Sequence, residues 1–501
     1  MTIIDYGIGT YPARRAKIRG DDVAISFEGE DTTYARFAGR VTRLANSLKD
    51  LGVSPGDRVA YAGFNHPALL ETFFATTLVG AACVLVNPRL AAPEVEYILR
   101  DCTPSVVFFG EDQAQNAERL RAGTDPEVRW FGVDDGGFES LLAAGSDGDA
   151  VVPLDEDDTA LIMYTSGTTG NPKGVMLSHR ALLFQYFNAI LGEDFRQDDV
   201  NLSVAPLFHI AGLNMLAVPT FMMGGRIIIH RRFKAAEALR ALAEHRVNSA
   251  FMVPAMLDAV AHEEGFDAAD LSMLRNLMVG GAPLPERMFT TWASKGISIS
   301  QGFGMTETAP GIRMLDPRDG IVKAGTAGRE HFFTESRVVD LNGEDVAPDE
   351  PGEIWAHGPN LMTGYWGKPD ETAAVLQDGW YRTGDIGSVD SDDYLRIHDR
   401  MKDMYISGGE NVYPAEVENA LLNIAGVAEA AVIGVDDDRW GESGVAFVVL
   451  DPGEDRTGDD IRDDALTRLA RYKVPREVFV VDDMPRTTTG KIRKNILRKT
   501  Y

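Results

Sequence analysis

The N-terminal part of the chain alternates between two hydrophobic patterns, short apolar runs of strand length and longer stretches with apolar residues at helical spacing. Strands are predicted at Val23–Phe27, Arg58–Ala62, Ala82–Val86 and 105–109. Helices are predicted at 34–51, 66–79 and 94–100. Strands that alternate with helices are typical of mostly parallel sheets covered by helices. We therefore expect a large N-terminal α/β domain with stacked, mostly parallel sheets.

The pattern changes further along the chain. Residues 133–149 are rich in glycine and acidic residues and predict a surface loop, whereas residues 334–358 predict a small β region with glycine and proline turns. After residue 400, strands are predicted at 429–435, 444–450 and 478–481, with an acidic helix at 458–471. A segment of this length suffices for a small α+β domain. The predicted domains are therefore residues 1–400 and 401–501.

Length and charge narrow the functional classes. A chain of 501 residues exceeds what one hydrophobic core usually supports. No apolar run approaches the ~20 residues that span a bilayer, and residues 1–17 lack the apolar core of a signal peptide. The formal net charge of −27 argues against nucleic acid and anionic membranes as partners. Cys83 and Cys102 are predicted to be small core residues in a reducing cytoplasm.

One segment carries most of the chemical information. Residues 164–174, YTSGTTGNPKG, follow the strand-like run 160–163 and combine hydroxyl side chains, glycines and Lys173. Glycines let backbone N–H groups face a ligand, and the lysine adds a positive charge, so the segment suits a polyphosphate. It differs from the P-loop pattern because Pro172 precedes the lysine and Gly174 follows it. The alternative, a flexible surface linker, has no need of a lysine at this fixed position.

Further short motifs occur at intervals along nearly the whole chain. They are Gly281-Ala282-Pro283, QGFGMTE at 301–307, YRTGD at 381–385, DRMKD at 399–403 and Thr489-Gly490-Lys491. In this order they resemble the adenylate-forming enzymes, in particular the acyl-CoA synthetase branch with its fatty-acid and hydroxycinnamate CoA ligases. The resemblance implies ATP, Mg²⁺ and CoA as reactants. A carboxylate would attack the α-phosphorus of ATP to give an acyl-adenylate, and a thiol would then displace AMP.

The same resemblance implies a nucleotide site. Its ATP- and AMP-binding residues are Thr165, Ser166, Gly167, Thr168, Thr169, Gly170, Lys173, Gly281, Ala282, Pro283, Gly302, Phe303, Gly304, Trp380, Asp385 and Arg400. Glu307 is expected to hold Mg²⁺ together with the phosphates, and Thr306 to hydrogen-bond the α-phosphate. Phe303 would lie against the adenine where most relatives have tyrosine, with core packing as its alternative role. Asp385 would accept hydrogen bonds from the ribose.

The two half-reactions are expected to use different parts of the C-terminal domain. Lys491 would bridge the substrate carboxylate and the α-phosphate during adenylation; its alternative role is one more charge in a basic tail. That tail, residues 485–501, has six basic residues and no acidic one, and it is a local counterweight to the global negative charge. Rotation about a hinge at Lys402 would then present the predicted CoA-binding residues, Ser407, Gly408, Gly409 and Glu410. A β-turn is the alternative for this glycine pair.

The acyl pocket is predicted from position and residue type. Its residues are His209, Ala211, Gly212, Leu213, Met252, Val253, Gly280, Ala309, Pro310 and Gly311. His209 stands where amino-acid-activating relatives carry aspartate, so an amino acid is not expected, and its role would be to gate or orient the carboxylate. Ala211, Gly212 and Leu213 make a small, apolar wall, and the other candidates from Met252 to Gly311 carry no charge. Such a pocket fits either a fatty chain or an aryl-propenoate.

The expectation favours a medium- or long-chain fatty acid, with a hydroxycinnamate or benzoate as the alternative. A stand-alone adenylating enzyme that loads a separate carrier protein would share every ATP motif and is a second alternative. A catalytically inactive relative is a third, but such a protein would be free to lose residues that this chain keeps, Glu307 and Lys491 among them.

Overall fold

The structure is a computed structural model that describes residues 7–165, 172–282, 284–400, 403–407, 410–437, 441–486 and 492–501; for residues 399, 400, 410 and 411 it describes the backbone alone.

The strands are numbered in chain order. They are β1 Val23–Phe27, β2 Glu30–Thr33, β3 Arg58–Ala62, β4 Ala82–Val86, β5 Val106–Phe109, β6 Arg129–Gly132, β7 Thr159–Thr165, β8 Lys173–Ser178, β9 Val200–Ser203, β10 Arg226–Ile229, β11 Ser249–Met252, β12 Asn276–Val279, β13 Ile299–Phe303, β14 Arg313–Met314, β15 Arg329–Glu330, β16 Glu335–Val339, β17 Gly352–His357, β18 Gly364–Tyr365, β19 Leu376–Gln377, β20 Trp380–Val389, β21 Leu395–Arg400, β22 Tyr405–Ser407, β23 Glu410–Val412, β24 Val427–Asp437, β25 Gly441–Leu450 and β26 Glu477–Val480.

The helices are numbered in the same way. They are α1 Tyr11–Arg19, α2 Tyr34–Asp50, α3 Pro67–Leu78, α4 Ala92–Cys102, α5 Glu111–Gly123, α6 Gly137–Ala144, α7 His179–Gly192, α8 Val218–Met223, α9 Ala235–Glu244, α10 Pro254–Ala261, α11 Glu286–Ala293, α12 Pro369–Val375, α13 Pro414–Leu422, α14 Gly458–Leu466 and α15 Lys494–Thr500. A π-helix at Gly212–Ala217 runs into α8, and single 3₁₀ turns lie at Ile8–Thr10 and Thr306–Thr308. Among the helices of the described residues, none combines the length and the apolar character that crossing a membrane requires.

The chain forms two compact units. The large unit comprises residues 1–324, 329–335 and 357–381, and the small unit comprises residues 325–328, 336–356 and 382–501. The expected division into residues 1–400 and 401–501, with a hinge near Lys402, stays a prediction.

The large unit contains two sheets of the predicted kind. One has the order β18-β8-β7-β4-β3-β5-β6, and the other has the order β15-β14-β13-β12-β11-β9-β10-β1-β2. From β13 to β1 in the second sheet, every neighbouring pair is parallel. Parallel neighbours need crossover connections, and helices supply them between strands along the chain. The prediction of an α/β domain with stacked, mostly parallel sheets is confirmed.

Helices α2 and α3 pack in the largest core of this unit. Thr33 caps α2, since its hydroxyl accepts a hydrogen bond from the Arg36 N–H at 3.2 Å. Phe37 on α2, Phe74 on α3 and Phe221 on α8 are fully buried and meet at ring-centroid separations of 5.2–6.0 Å. Burying three such rings contributes several kcal/mol of apolar transfer free energy.

The small unit contains most of β16, β17 and β20 and all of β21. These strands belong to one sheet, in which β17 lies between β16 and β20 and β21 pairs with β20. Its second sheet has the order β23-β22-β25-β24, with β26 beside β25. Helices α13 and α14 bury Val417 and Ile461 in the same hydrophobic cluster as β24 and β25. This arrangement confirms the predicted small α+β C-terminal domain.

Two local predictions need correction. The predicted loop at 133–149 contains helix α6, because Phe138 and Leu142 lie one helical turn apart and are both buried, with the Leu141 carbonyl bonded to the Ser47 hydroxyl of α2 at 2.7 Å. The glycines and acids of this segment lie mainly at its ends. The acidic helix predicted at 458–471 ends at Leu466, and its N-terminus is capped by Thr457.

Candidate active site

The lysine of the glycine-rich segment lies at the start of β8, opposite Thr165 at the end of β7. Residues 166–171, and with them Ser166, Gly167, Thr168, Thr169 and Gly170, lie outside the described residues. The Lys173 side chain is 16% exposed and forms an ion pair with Glu371 of α12. Its ammonium also lies 5.0 Å from the ring centroid of Tyr365, a cation–π contact. These two contacts therefore hold the ammonium group of Lys173 at the end of the glycine-rich segment.

Tyr365 connects Lys173 to the predicted magnesium ligand. Its hydroxyl donates a hydrogen bond of 3.0 Å to Glu307 Oε1, and the Met362 N–H donates one of 2.8 Å to the Glu307 carbonyl. Burial, and secondarily the negative charge of Glu307, raises the pKa of Tyr365, so its hydroxyl stays a donor at neutral pH. Glu307 is itself buried. A carboxylate held in this way fits Mg²⁺, which is usually bound by one or two carboxylates and phosphate oxygens.

The loop that carries Glu307 has little freedom. A Cβ on Gly304 would lie 1.5 Å from the Pro310 carbonyl oxygen, so no other residue fits there without moving the loop. The Thr308 hydroxyl donates to that same oxygen at 2.9 Å. Asn360 is fully buried, and its amide donates to the carbonyls of Thr308 and Gly311, both at 2.8 Å. Thr306 and Glu307 are thus presented by a loop held from both sides.

The predicted adenine and acyl residues meet at the carboxyl ends of parallel strands. Met252 ends β11, Gly280 follows β12, and Phe303 ends β13. In the sheet, Met252 pairs with Val279, and Val279 pairs with Gln301. Ligands of open α/β sheets bind at this edge. Phe303 is half-buried, which leaves part of its ring accessible, while Gly281 and Ala282 are exposed; Pro283 lies outside the described residues.

His209 precedes the π-helix and is half-buried. Its ring centroid lies 4.7 Å from that of Phe208. A Cβ on Gly212 would come within 2.2 Å of the Pro206 carbonyl oxygen, so this glycine is required by the turn around His209. Asn65 fixes the segment before it, because its side chain donates to the Ala205 carbonyl at 2.9 Å and accepts from the Leu207 N–H at 2.7 Å.

The predicted acyl residues Ala211 and Val253 belong to one hydrophobic cluster, although about 40 residues separate them. The other members of this cluster are Phe195, Ala205, Met215, Leu216, Phe251, Met278 and Met314. Gly280 lies beside it, since a Cβ there would be 3.5 Å from Phe251. The cluster makes an apolar wall, and Leu213 is buried in the neighbouring main core.

The remaining acyl residues, Ala309, Pro310 and Gly311, are backed by buried polar side chains. The Gln185 side-chain oxygen accepts the Gly311 N–H at 3.1 Å, and the Asn214 amide donates to the Ala309 carbonyl at 3.3 Å. Gln185 and Asn214 are both fully buried. Sequence reasoning did not anticipate this polar layer.

In the small unit, Asp385 and Arg400 occupy directly opposed positions of β20 and β21. Asp385 is buried, and its N–H donates to the Thr383 hydroxyl at 3.0 Å. Gly384 has φ +69°, and its N–H donates to Glu353 at 3.3 Å, so the Thr-Gly-Asp motif forms a fixed kink in the strand. One carboxylate can accept hydrogen bonds from both ribose hydroxyls, and the opposed register suits a shared ligand. Trp380, in the large unit, lies half-buried against His357 at 5.3 Å.

The structure describes only some of the other residues that are predicted to act in the C-terminal domain. Lys402, Gly408, Gly409 and Lys491 lie outside the described residues. Ser407 and Glu410 face each other in the β22–β23 pair, and the Ser407 side chain is buried.

The basic tail is partly neutralised within the small unit. Arg486 pairs with Glu429, Lys494 with Glu418 at 2.7 Å, and Arg498 with Asp403 at 2.9 Å. Its charge is therefore less available to ligands than its composition suggests.

Comparison with known proteins identifies the family of this chain. Residues 12–366 match the family of AMP-binding enzymes, and residues 416–491 match the C-terminal domain of AMP-binding enzymes. The chain is 45% identical to a feruloyl-CoA synthase of Amycolatopsis sp., over 99% of both chains. It is 39% identical to the long-chain-fatty-acid–CoA ligase FadD13 of Mycobacterium tuberculosis, over 94% of this chain and 93% of that protein.

Among solved structures, ATP-bound MatB from Rhodopseudomonas palustris superposes with a TM-score of 0.91 at 31% identity, over 98% of this chain and 99% of that one. The family matches and the similarity in fold cover nearly the whole chain. The chain therefore belongs to the AMP-binding enzyme family, and it is an acid–CoA ligase that uses ATP, Mg²⁺ and CoA.

Proposed function

We propose that the acid is an aryl-alkenoic acid of the hydroxycinnamate class. The observation that carries this proposal is the 45% identity to a feruloyl-CoA synthase over 99% of both chains. The geometry supports it. At Gly280 and Gly281 an added Cβ would come no closer than 3.5 Å to any neighbour, so the end of β12 presents bare backbone that a planar ring could lie against. The sequence alone favoured a fatty acid, and the proposal departs from that expectation.

Adenylation is assigned to residues of the large unit and to residues of the small unit, each with its own role. A carboxylate oxygen attacks the α-phosphorus and pyrophosphate leaves. Lys173 and Glu307 counter the phosphate charge, Glu307 through Mg²⁺, while Phe303 contacts the adenine and Asp385 and Arg400 contact the ribose. Lys491 stabilises the charge that builds between the carboxylate and the α-phosphate. These roles are proposals for this chain.

Thioester formation follows as a second displacement. The CoA sulfur attacks the acyl carbonyl, the bond to the phosphate oxygen breaks, and AMP leaves. His209 orients the acyl group, Lys402 is the hinge, and the segment 407–410 contacts CoA. Cys83 and Cys102 are buried free thiols, in keeping with the proposed cytoplasmic location.

A medium- or long-chain fatty acid is the second candidate. The similarity to FadD13 favours it, as does the apolar wall of methionine and phenylalanine side chains beside Ala211 and Val253. One cavity can serve either class, because a single methylene changes binding by only ~1–3 kcal/mol.

AMP release measured with ATP, Mg²⁺ and a panel of acids, with and without CoA, tests these proposals. The panel is ferulate, benzoate, octanoate and palmitate. We expect CoA-dependent AMP release with ferulate and a kcat/KM at least tenfold above that for octanoate. A preference for octanoate or palmitate would refute the aryl assignment. Adenylate formation without a CoA thioester would instead indicate a carrier protein as the acceptor.

A further inference from the structure

His331 has a buried nitrogen that the mechanism above does not use. The residue is 5% exposed and follows β15, and within the described part of the chain no donor or acceptor lies within hydrogen-bond reach of its Nε2. Its ring makes a hydrogen bond to the backbone of Asn188 on α7. Since Nε2 is unpaired, this bond belongs to Nδ1, which donates its proton to the carbonyl. Nε2 is left as a bare acceptor.

His331 is neutral at pH 7. Burial lowers the pKa of His331 to about 4, so the imidazole is uncharged and carries a single proton. With that proton on Nδ1, Nε2 accepts a hydrogen bond and cannot donate one. A buried acceptor without a donor is costly, and natural proteins rarely keep one without a function.

The side chain of Gln185 lies beside His331. A Cβ on Gly311 would come within 2.7 Å of Gln185 Oε1 and 2.8 Å of His331 Nε2, so both side chains converge on the same face of this glycine. The Gln185 oxygen is used by the Gly311 N–H, but the amide nitrogen of Gln185 points to the sulfur of Met215 at 3.4 Å. A thioether is a weak acceptor, so this N–H is available for a better one.

The position of the pair connects it to the acid. Gly311 ends the loop that begins at Glu307, and Met215 belongs to the apolar wall that contains Ala211 and Val253. Gln185 therefore contacts both the loop, at Gly311, and the wall, at Met215, and His331 lies against the same glycine. A purely aliphatic chain has no group that could donate a hydrogen bond to His331 or accept one from Gln185.

We propose that His331 and Gln185 recognise a hydroxyl group on the far end of the acid. A hydroxyl group donates its proton to His331 Nε2 and accepts the N–H of Gln185, so it satisfies both side chains at once. The inference rests on the proposed aryl function and extends it, because it requires a ring hydroxyl and not only a ring. It makes these two residues specificity-determining residues.

The test compares 4-hydroxycinnamate with 4-methylcinnamate, whose methyl group has nearly the volume of the hydroxyl. Wild-type enzyme should prefer the hydroxy acid by about tenfold to 100-fold in kcat/KM, the scale expected for buried hydrogen-bonding groups left unpaired by the analogue. In His331→Phe the preference should fall to about threefold or less, through a higher KM for the hydroxy acid, with the KM for ATP unchanged. Gln185→Met should lower the preference in the same direction.

His230→Phe is the matched control, since it removes another buried histidine nitrogen without a partner among the described residues, at the end of β10. It should keep the wild-type preference. If His331→Phe fails to fold, as judged by its thermal melt, wild type and Gln185→Met still decide the question.

Equal kcat/KM for the two cinnamates in wild type, or an unchanged preference in both variants, would overturn the hydroxyl site while leaving an aryl-acid ligase intact. Turnover of octanoate but of neither cinnamate would refute the aryl function itself, and the hydroxyl site with it.

Discussion

Replacing Tyr365 by phenylalanine removes one hydroxyl from the centre of the candidate site and leaves the ring in place. The substitution removes the 3.0 Å hydrogen bond to Glu307 Oε1 and the hydrogen bond between the side chains of Tyr365 and Tyr381. The cation–π contact with Lys173, at 5.0 Å from the ring centroid, depends only on the ring and should persist. The substitution therefore separates the positioning of Glu307 from the positioning of Lys173.

The size of the effect follows from burial and charge. Tyr365 and Glu307 are 6% and 8% exposed, so water does not readily replace the lost hydroxyl. A hydrogen bond to a charged group contributes about 1.5–3 kcal/mol. At about 1.4 kcal/mol for each factor of ten, adenylation should slow by roughly 10- to 100-fold.

ATP–pyrophosphate exchange at a series of Mg²⁺ concentrations measures this effect. We expect a lower maximal rate and a higher Mg²⁺ concentration at half-saturation. Thioester formation from supplied acyl-adenylate should change little. Because the raised pKa of Tyr365 keeps its hydroxyl protonated, the ratio of wild-type to variant rates should be constant between about pH 6.5 and 8.5.

Tyr34→Phe provides the matched control. It removes an equally buried hydroxyl that donates to the Gly225 carbonyl at 2.6 Å, and it should lower stability by about 1 kcal/mol without changing Mg²⁺ dependence. If Tyr365→Phe exchanges pyrophosphate with the wild-type rate and wild-type Mg²⁺ dependence, Tyr365 does not position a metal-binding carboxylate.

Four further substitutions test other parts of the structure. Lys491→Ala should slow adenylation by ~10²–10³-fold yet keep thioester formation from supplied acyl-adenylate, and equal loss of both steps would contradict its role. Lys402→Pro should keep adenylation and slow thioester formation, and unchanged rates for both steps would show that Lys402 is not the hinge. Gly304→Ala should abolish adenylation while the protein still folds, because its Cβ cannot coexist with the Pro310 carbonyl; near-normal activity would contradict that geometry. Glu193→Gln tests a pH effect: burial raises the pKa of Glu193 from its ordinary 4.5 to about 8, so wild type loses stability as pH rises from about 4.5 to 8, by up to about 5 kcal/mol. The melting temperature of the variant should exceed that of wild type by a margin that grows from pH 5 to pH 8. A constant margin would contradict a raised pKa for Glu193 in the folded protein.

Much of the fold could be predicted because local spacing encodes it. Strands β1, β3 and β4 have the predicted bounds, since each is a short apolar run between polar turns. The loop predicted at 133–149 was partly wrong because its composition concealed the buried pair Phe138 and Leu142, whose importance depends on α2 lying beside them. Composition describes exposure on average, whereas packing decides it residue by residue.

The sequence by itself determined the family, because motifs such as 301–307 and 381–385 are contiguous and are recognised by residue type and order. It also supplied the candidate reacting residues, whose roles stay predictions. It did not indicate which distant side chains support them. The hydroxyl of Tyr365 reaches Glu307 across 58 positions, and the amide of Gln185 reaches Gly311 across 126. Only the tertiary structure decided these contacts, because the order of parallel strands brings separate segments to one edge, and no local periodicity records which segments will be neighbours there.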